Sequence, residues 1–248
     1  MNIVITGASS GLGAALAVRY ARIGAALFLT GRDGVRLNHV AAECRGRGAM
    51  VETAQIDVTD RAGLAAWIGG CDQGAPLDLV IANAGISAAT HGGAGLDTVA
   101  RATFAVNLDG VLNTVLPVVP LMRDRGRGQI AIMSSLAGFR GFAGSAAYCA
   151  SKAAVRVWGE GLRAELAPVG IGVSVICPGF VSTPMTDANR FRMPFLMGPE
   201  RAADIIVRGL AANRGRIAFP APMVFLARLI GGVPDSWMDR LAALFPTK

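Results

Sequence analysis

Tyr148-Cys149-Ala150-Ser151-Lys152 holds one of the chain's two tyrosines and one of its two lysines. Residues 147–165 contain no proline and space small and apolar side chains with a helical period, so the phenol and the ammonium lie one turn apart on a common face. A free tyrosine titrates near pKa ~10, and a neighbouring ammonium favours the phenolate and moves that value toward working pH. A phenol tuned in this way can give or take a proton during catalysis. Tyr-x-x-x-Lys also arises by accident on surface helices, so other parts of the chain must decide between chemistry and coincidence.

The elements that would position such a pair begin at the N-terminus. Residues 2–6 (NIVIT) form a short apolar, β-branched run, followed by Gly7-Ala8-Ser9-Ser10-Gly11-Leu12-Gly13 and a helical stretch over 14–23. Strand, glycine turn and helix start in that order suit a pyrophosphate: glycines let the backbone approach a ligand closely, and the helix N-terminus offers free N–H groups and partial positive charge. Standing at the opening of a βαβ unit makes the turn a stronger sign of dinucleotide binding than glycines alone. The motif begins so close to Met1 that no signal peptide is expected before it.

With these motifs the chain resembles the short-chain dehydrogenase/reductase family, in its single-domain branch, over essentially its whole length. Thr6-Gly7-x-x-x-Gly11-x-Gly13 is similar to that branch's glycine motif, and Asn83-Ala84-Gly85 to the motif after the fourth strand. Asn107 stands where the family keeps its helix asparagine. Ser135 precedes Tyr148 by thirteen residues, the family's serine-to-tyrosine spacing, which favours it over the neighbouring Ser134. Pro178-Gly179, followed by Thr183, matches the motif after the sixth strand.

Apolar runs over 2–6, 26–30, 50–56, 77–82, 129–134, 172–177 and 216–219 alternate with helical segments. Such alternation implies parallel βαβ units with right-handed crossovers, hence an α/β, Rossmann-type, doubly wound parallel sheet of about seven strands covered by helices on both faces. Ligands of such sheets bind outside the carboxyl ends of the strands. Every motif above follows a strand or starts a helix on that edge, except Asn107, which falls within a helix. At 248 residues and 52% apolar content one domain with one substantial core is expected. No apolar run is expected to reach the ~18–20 residues of a membrane-spanning helix.

Cys44, Cys71, Cys149 and Cys177 are scattered without metal-ligand spacing and read as reduced thiols of a cytoplasmic protein. His39 and His91 are too few and too far apart for a metal site. The net charge of +7 raises nucleic-acid binding as a possibility, but the arginines are spread over helix faces and turns. Only 45–47 and 123–127 form local basic groups, without interleaved aromatics, so a solvated surface is the reading. A basic rim could still draw an acidic substrate or carrier protein.

The resemblance implies hydride transfer between a nicotinamide cofactor and a carbonyl or secondary alcohol. Tyr148 would act as general acid/base, Ser135 would donate a hydrogen bond to the same oxygen, and Lys152 would hold ribose hydroxyls and depress the tyrosine's pKa. Asn107 would order a water linking Lys152 to solvent. Cofactor contacts would come from Gly7, Ser9, Ser10, Gly11, Leu12 and Gly13, from Asn83, Ala84 and Gly85, from Pro178, Gly179, Val181 and Thr183, and from Tyr148 and Lys152. Asp57 and Val58 resemble the residues that hold the adenine, although Asp57 also suits a turn or helix cap. After the second strand the chain reads Gly31-Arg32, glycine standing where NAD-preferring members tend to carry aspartate, so NADP(H) is expected over NAD(H), with Arg32 meeting the extra phosphate. Asp33 directly after Arg32, and a glycine turn with no basic residue, run against that preference.

Substrate specificity is expected from 87–95 and from a mobile lid over about 183–198, which contains Met185, Phe191, Met193, Phe195, Leu196 and Met197; a plain buried helix would carry the same residues. Arg190 and Arg192 would meet an anionic substrate or face water. The apolar extension over about 220–248 reads as two short amphipathic helices broken at Gly231-Gly232-Val233-Pro234. Burial against the core or a neighbouring subunit is the first expectation, with an interfacial membrane contact through Arg228, Trp237 and Arg240 as the alternative. The family resemblance implies a homodimer or homotetramer. A 3-oxoacyl thioester reductase is a second reading within the same chemistry, and a nucleotide-binding regulator without turnover is the reading from another class.

Overall fold

The computed structural model describes residues 1–87, 95–187, 189 and 191–234. Seven parallel strands form one sheet in the order β3-β2-β1-β4-β5-β6-β7. They are β1 (Asn2–Thr6), β2 (Ala26–Thr30), β3 (Met50–Ala54), β4 (Leu79–Ala82), β5 (Gly128–Met133), β6 (Ile171–Pro178) and β7 (Arg216–Phe219). The two-residue period of each strand divides its side chains between two cores. Ile3, Ile5, Leu27, Leu29, Leu79 and Ile81 face α1 (Gly11–Tyr20), α2 (Gly34–Gly46) and α9 (Pro199–Ala211). Val4, Phe28, Val80, Ile130 and Ile132 face the opposite layer, built from α3 (Arg61–Gly74), α5 (Gly110–Val115), α6 (Val118–Arg125) and α7 (Ala146–Leu166). The result is the Rossmann-like, doubly wound single domain expected from the strand and helix alternation.

Strand order reverses at β1 and β4, and this switch point opens a crevice at the carboxyl edge. The ends of the strands differ slightly from expectation because pairing decides them. β3 stops at Ala54 rather than 56 because its partner β2 stops at Thr30, opposite Ala54. Leu77 stays outside β4 because its N–H donates to the Asp72 carboxylate at 2.9 Å.

One expectation is corrected. Leu96–Arg125 runs as a single 30-residue helical stretch that is, by length and composition, apolar enough to cross a bilayer. It comprises α4 (Leu96–Phe104), a π-helical turn (Ala105–Asp109), α5 and α6, and it packs against α7, α3 and β4. Individual polar residues such as Asn107 and Asn113 hide its apolar character in a search for uninterrupted runs.

After β6 the chain makes the short helix α8 (Pro184–Asp187) and returns to the sheet edge through a parallel bridge between Val181 and Met197. The base of the expected lid is thus stapled, by Ser182 N to Met197 O at 2.9 Å and Met197 N to Phe180 O at 3.2 Å. The last described helix, α10 (Ala221–Gly231), ends at the expected Gly-Gly break. Met223, Val224 and Ala227 pack on Leu136, Val175 and Cys177. Phe225, Leu226 and Leu229 on the other face stay exposed. Trp237 and Arg240 of the expected second helix, His91 with most of the 87–95 segment, and Arg190 lie outside the described residues.

Candidate active site

Gly7 and Gly11 carry φ values of +66° and +55°, which residues with a Cβ rarely adopt. Gly13 has a different reason to be glycine: a Cβ there would run into the Gly7 carbonyl and lie 2.5 Å from Asn83 Nδ2. Asn83 ties the turn to the next loop, donating from Nδ2 to Thr6 O at 3.0 Å and Gly7 O at 3.2 Å. In return Thr6 Oγ1 accepts from the backbone N–H groups of Asn83, at 3.1 Å, and Ala84, at 3.3 Å. The loops after β1 and β4 therefore form one unit. At the start of α1 the N-cap Ser10 makes no side-chain cap and the first turn holds no acid, so the positive end of this helix faces the cavity uncompensated.

Tyr148 and Lys152 rise from the first two turns of α7. Lys152 is only 3% exposed, and its Nζ donates to Met133 O at 2.9 Å. Burial of the ammonium lowers its pKa from 10.5 to about 8. Ser135 caps a 3₁₀ turn (Leu136–Phe139) after β5, its Oγ accepting from Ala137 N at 3.1 Å and donating to Pro178 O at 3.5 Å, close enough to the Tyr148 phenol to lower its pKa. Ser134 turns the other way, buried and donating to Lys152 O at 2.7 Å.

The expectation that Lys152 depresses the Tyr148 pKa is corrected. Burial is the largest influence on the phenol and raises its pKa, even though Tyr148 as a residue is only half-buried; the Ser135 hydrogen bond is what lowers it. Lys152 Nζ is aimed at the Met133 carbonyl and stands 5.9 Å from the tyrosine ring centroid.

All of the expected cofactor contacts, together with Ser135, line one cavity of about 1030 Å³. It runs along the carboxyl edge from Arg32 and Asp57, through the glycine turn and Asn83-Ala84-Gly85, to Tyr148, Lys152 and the Pro178–Thr183 segment. Asn107 does not line it. It is fully buried in the π-helical turn behind Gly85.

At the far end Arg32 Nη1 stands 3.9 Å from Asp57 Oδ2, with the Arg32 side chain largely in solvent and that of Asp57 partly so. Asp57 also closes a turn, accepting from Thr59 N at 2.9 Å and Thr59 Oγ1 at 2.8 Å. Asp33 is the N-cap of α2, accepting from Arg36 N at 2.9 Å and pairing with Arg36 Nε at 2.7 Å. That backbone hydrogen bond, first among the causes, holds its carboxyl below the ordinary 3.8.

The cavity also has walls that motif reasoning passed over, Arg36, Asn38 and Gln55 at the Arg32 end and Ile86 and Val106 near the middle, while Met185 and Thr186 beyond Thr183 come from the expected lid segment. Arg36 left a sequence signal, a second guanidinium further along the chain from Arg32. Gln55 left none, because its place follows from β3 ending beside Arg32, whose carbonyl it binds at 2.9 Å.

The residues fit a dinucleotide. Two glycines hold backbone that other residues strain to adopt, a third has no room for a Cβ, and an uncapped helix N-terminus opens on a cavity long enough to join the guanidinium end to the phenol end. Hydride-transfer enzymes built on a doubly wound sheet have this arrangement. The family model described as short chain dehydrogenase matches residues 1–193. The chain belongs to the short-chain dehydrogenase/reductase family; it is an oxidoreductase of a fold that binds a nicotinamide cofactor.

Among its relatives, an uncharacterized oxidoreductase of Myxococcus xanthus is 37% identical over 240 residues, covering 96% of this chain and 95% of the relative. The ketoacyl reductase HetN of Nostoc sp. is 32% identical over 257 residues, covering 98% and 88%. The solved short-chain dehydrogenase from Sphingobium yanoikuyae in complex with NADPH superposes with a TM-score of 0.81 at 29% identity, covering 99% of this chain and 96% of that one. A short-chain dehydrogenase from Mycobacterium paratuberculosis bound to NAD gives 0.75 at 25% identity, covering 88% and 94%.

Proposed function

We propose that the chain is an NADP(H)-dependent carbonyl reductase or alcohol dehydrogenase acting on a small to medium apolar substrate. The observation that carries this reading is the meeting of Ser135, Tyr148 and Lys152 at one end of a cavity whose other end holds Arg32. The cofactor supplies the hydride. Tyr148 gives its proton to the carbonyl oxygen as negative charge develops there, and Ser135 donates a hydrogen bond to the same oxygen. Lys152, its ammonium pKa lowered to about 8 by burial, would hold the ribose hydroxyls of the nicotinamide half. Asn107 keeps the backbone around Gly85 and α7 in register.

Arg32, with Arg36 further along the chain, supports binding of the extra ribose phosphate, and the engagement of Asp33 as a helix cap and with Arg36 draws the acid adjacent in sequence away from it, while Asp57 stays 3.9 Å from Arg32 Nη1. Gln55, Asn38 and Asp57 surround the same end as neutral or acidic partners for ribose and adenine. Relatives solved with NADPH and with NAD make this preference a matter for measurement.

The test is cofactor consumption across aldehydes, ketones, quinones, steroids and 3-oxoacyl thioesters, with NADPH and NADH in parallel. NADPH-selective turnover is expected. Equal or better kcat/KM with NADH overturns the cofactor assignment, and saturable NADPH binding without turnover on any class favours a nucleotide-binding regulator. The similarity to a ketoacyl reductase and the net charge of +7 support 3-oxoacyl thioesters as a second substrate class.

We also propose a cytoplasmic homo-oligomer in which the outward face of α10, with Phe225, Leu226 and Leu229, meets a second copy. Light scattering of Phe225→Glu against the parent chain checks this: an unchanged mass removes α10 from the interface. If the parent alone sediments with anionic liposomes, the face belongs to a membrane contact instead.

A further inference from the structure

Tyr148, Lys152, Arg156 and Glu160 follow one another at intervals of four along α7. The face that presents the phenol and the ammonium therefore continues with a guanidinium and a carboxylate. The guanidinium reaches the short turn that carries Ser135. Arg156 Nε lies 3.4 Å from Gly138 O, and its guanidinium carbon stands 4.8 Å from the Phe139 ring centroid. Arg216, at the start of β7, approaches the same ring at 5.8 Å. Glu160 joins the two cations: Arg156 Nη1 donates to its two oxygens at 3.2 and 3.4 Å, and Arg216 Nη2 makes a short contact with Oε1.

The turn touches α7 at a second place. Gly138 passes so close to the helix that a Cβ would lie 2.8 Å from the Lys152 carbonyl carbon, and Ser134 Oγ donates to the Lys152 carbonyl oxygen at 2.7 Å. A four-residue 3₁₀ turn has little rigidity of its own. Here the residue before its cap, Ser134, is hydrogen-bonded to Lys152 and its end is gripped by Arg156. The Arg156 side chain is 19% exposed and the Glu160 side chain 33%. Such partly desolvated cation–ring and charge-assisted contacts are stronger than their counterparts in open solvent.

We infer that Arg156, oriented by Glu160 and Arg216, is a positioning residue that sets the Ser135 hydroxyl against the Tyr148 phenol. The inference rests on the reading of Ser135 as the group that polarises the carbonyl. It extends that reading to residues two and three turns beyond the tyrosine on the same helix. Arg156 touches neither cofactor nor substrate; its effect passes through the Phe139 end of the turn. A guanidinium is required because one flat group must stack on Phe139 and reach the Glu160 carboxylate.

The test is a double-mutant cycle in the full chain, following NADPH-dependent reduction of 4-nitrobenzaldehyde and of the rest of the carbonyl panel. Arg156→Met is expected to lower kcat by roughly ten- to a hundred-fold while KM and the NADPH Kd, read from tryptophan fluorescence, move less than about threefold. Arg156→Lys, which keeps the charge and loses the planar fork, should recover only part of that rate. In the Ser135→Ala background, Arg156→Met should cost nothing further.

A loss of the same size in both backgrounds means that Arg156 merely stabilises the fold, and it overturns the inference while leaving Ser135 in place. Unchanged kcat in Arg156→Met does the same. Wild-type rates in Ser135→Ala, or no turnover by the parent chain on the whole panel, overturn the underlying reading and the inference with it. Should Arg156→Met fail to fold by circular dichroism, Glu160→Gln takes its place: kcat is expected to fall about three- to thirtyfold, again only when Ser135 is present. A Glu160→Gln effect that persists without Ser135 overturns the inference.

Discussion

Asn107 and Ile86 exchange a pair of hydrogen bonds. Ile86 N donates to Asn107 Oδ1 at 2.8 Å, and Asn107 Nδ2 donates to Ile86 O at 2.9 Å. The same amide nitrogen donates to Ser151 Oγ at 3.1 Å, and Ser151 in turn donates to Tyr148 O at 2.8 Å. One fully buried side chain thereby joins the loop after β4 to the turn of α7 that lies between Tyr148 and Lys152. The π-helical turn supplies the register, since it rotates Asn107 out of the regular helical succession toward both partners.

Asn107→Ala should leave the Ile86 backbone groups and Ser151 short of partners in the interior. The expected cost is about 1–3 kcal/mol, seen as a Tm lower by roughly 2–10 °C in scanning calorimetry. Turnover should fall as well, because the helix carrying Tyr148 loses its tie to the cavity floor.

Tyr148→Phe keeps the ring and removes the proton donor. The rate should fall by roughly 10²–10⁴-fold, with NADPH affinity within about twofold of the parent. Stopped-flow turnover and equilibrium fluorescence titration check the two halves separately; substantial residual activity would falsify the assignment of Tyr148 as proton donor.

Arg32→Glu places a carboxylate where a ribose phosphate is expected to sit. The KM for NADPH should rise by roughly ten- to a hundred-fold with much less change for NADH. A similar loss with both cofactors would mean that Arg32 acts on the shared part of the dinucleotide or on the fold.

The native state should weaken in alkali. Burial raises the thiol pKa from 9.0 to about 11 in Cys44 and Cys177 and to about 12 in Cys71. Between 9.0 and these values the unfolded chain loses protons that the folded one keeps, so the stability present below pH 9.0 is lost as pH rises through the folded values. Lys152 acts in the opposite sense: between about 8 and 10.5 the unfolded chain holds the extra proton, and stability gains with pH. The thiols outnumber the lysine, so Tm should decline above pH 9.0, and Cys177→Ala should flatten that decline. A Tm that is level up to pH 11 would contradict this balance.

Gly13→Ala tests the turn by volume alone. The added methyl has to displace the Gly7 carbonyl or the Asn83 amide, which lies 2.5 Å away. A destabilisation of about 1–3 kcal/mol is expected, together with weakened NADPH binding, both readable in one thermal-shift titration.

The alternation of apolar runs with helical segments determined the seven strands and the two-sided burial of the central ones, because a strand inside a parallel sheet must be apolar on both faces, whereas the edge strand β3 has no buried residue. The glycines at 7, 11 and 13 and the Tyr148–Lys152 interval were likewise legible, since each is a local demand on backbone shape or on one helix face, and the Ser135 spacing was legible through the family resemblance. Other features needed the folded molecule. The physical basis for Ser135 over Ser134 is the turn after β5, which sends the Ser134 hydroxyl to the Lys152 carbonyl and leaves Ser135 on the side of Tyr148. The sign of the Tyr148 shift depends on how deeply the phenol is desolvated against where the ammonium points, and both are set by β5 and the 3₁₀ turn. Gln55 reaches the cavity only because β3 ends at the carboxyl edge beside Arg32, and Glu160 reaches Arg216 across 56 residues of chain because α7 packs along β6, the neighbour of β7. Spacing along the chain determines what a single element can present, whereas the meeting of separate elements is decided by packing.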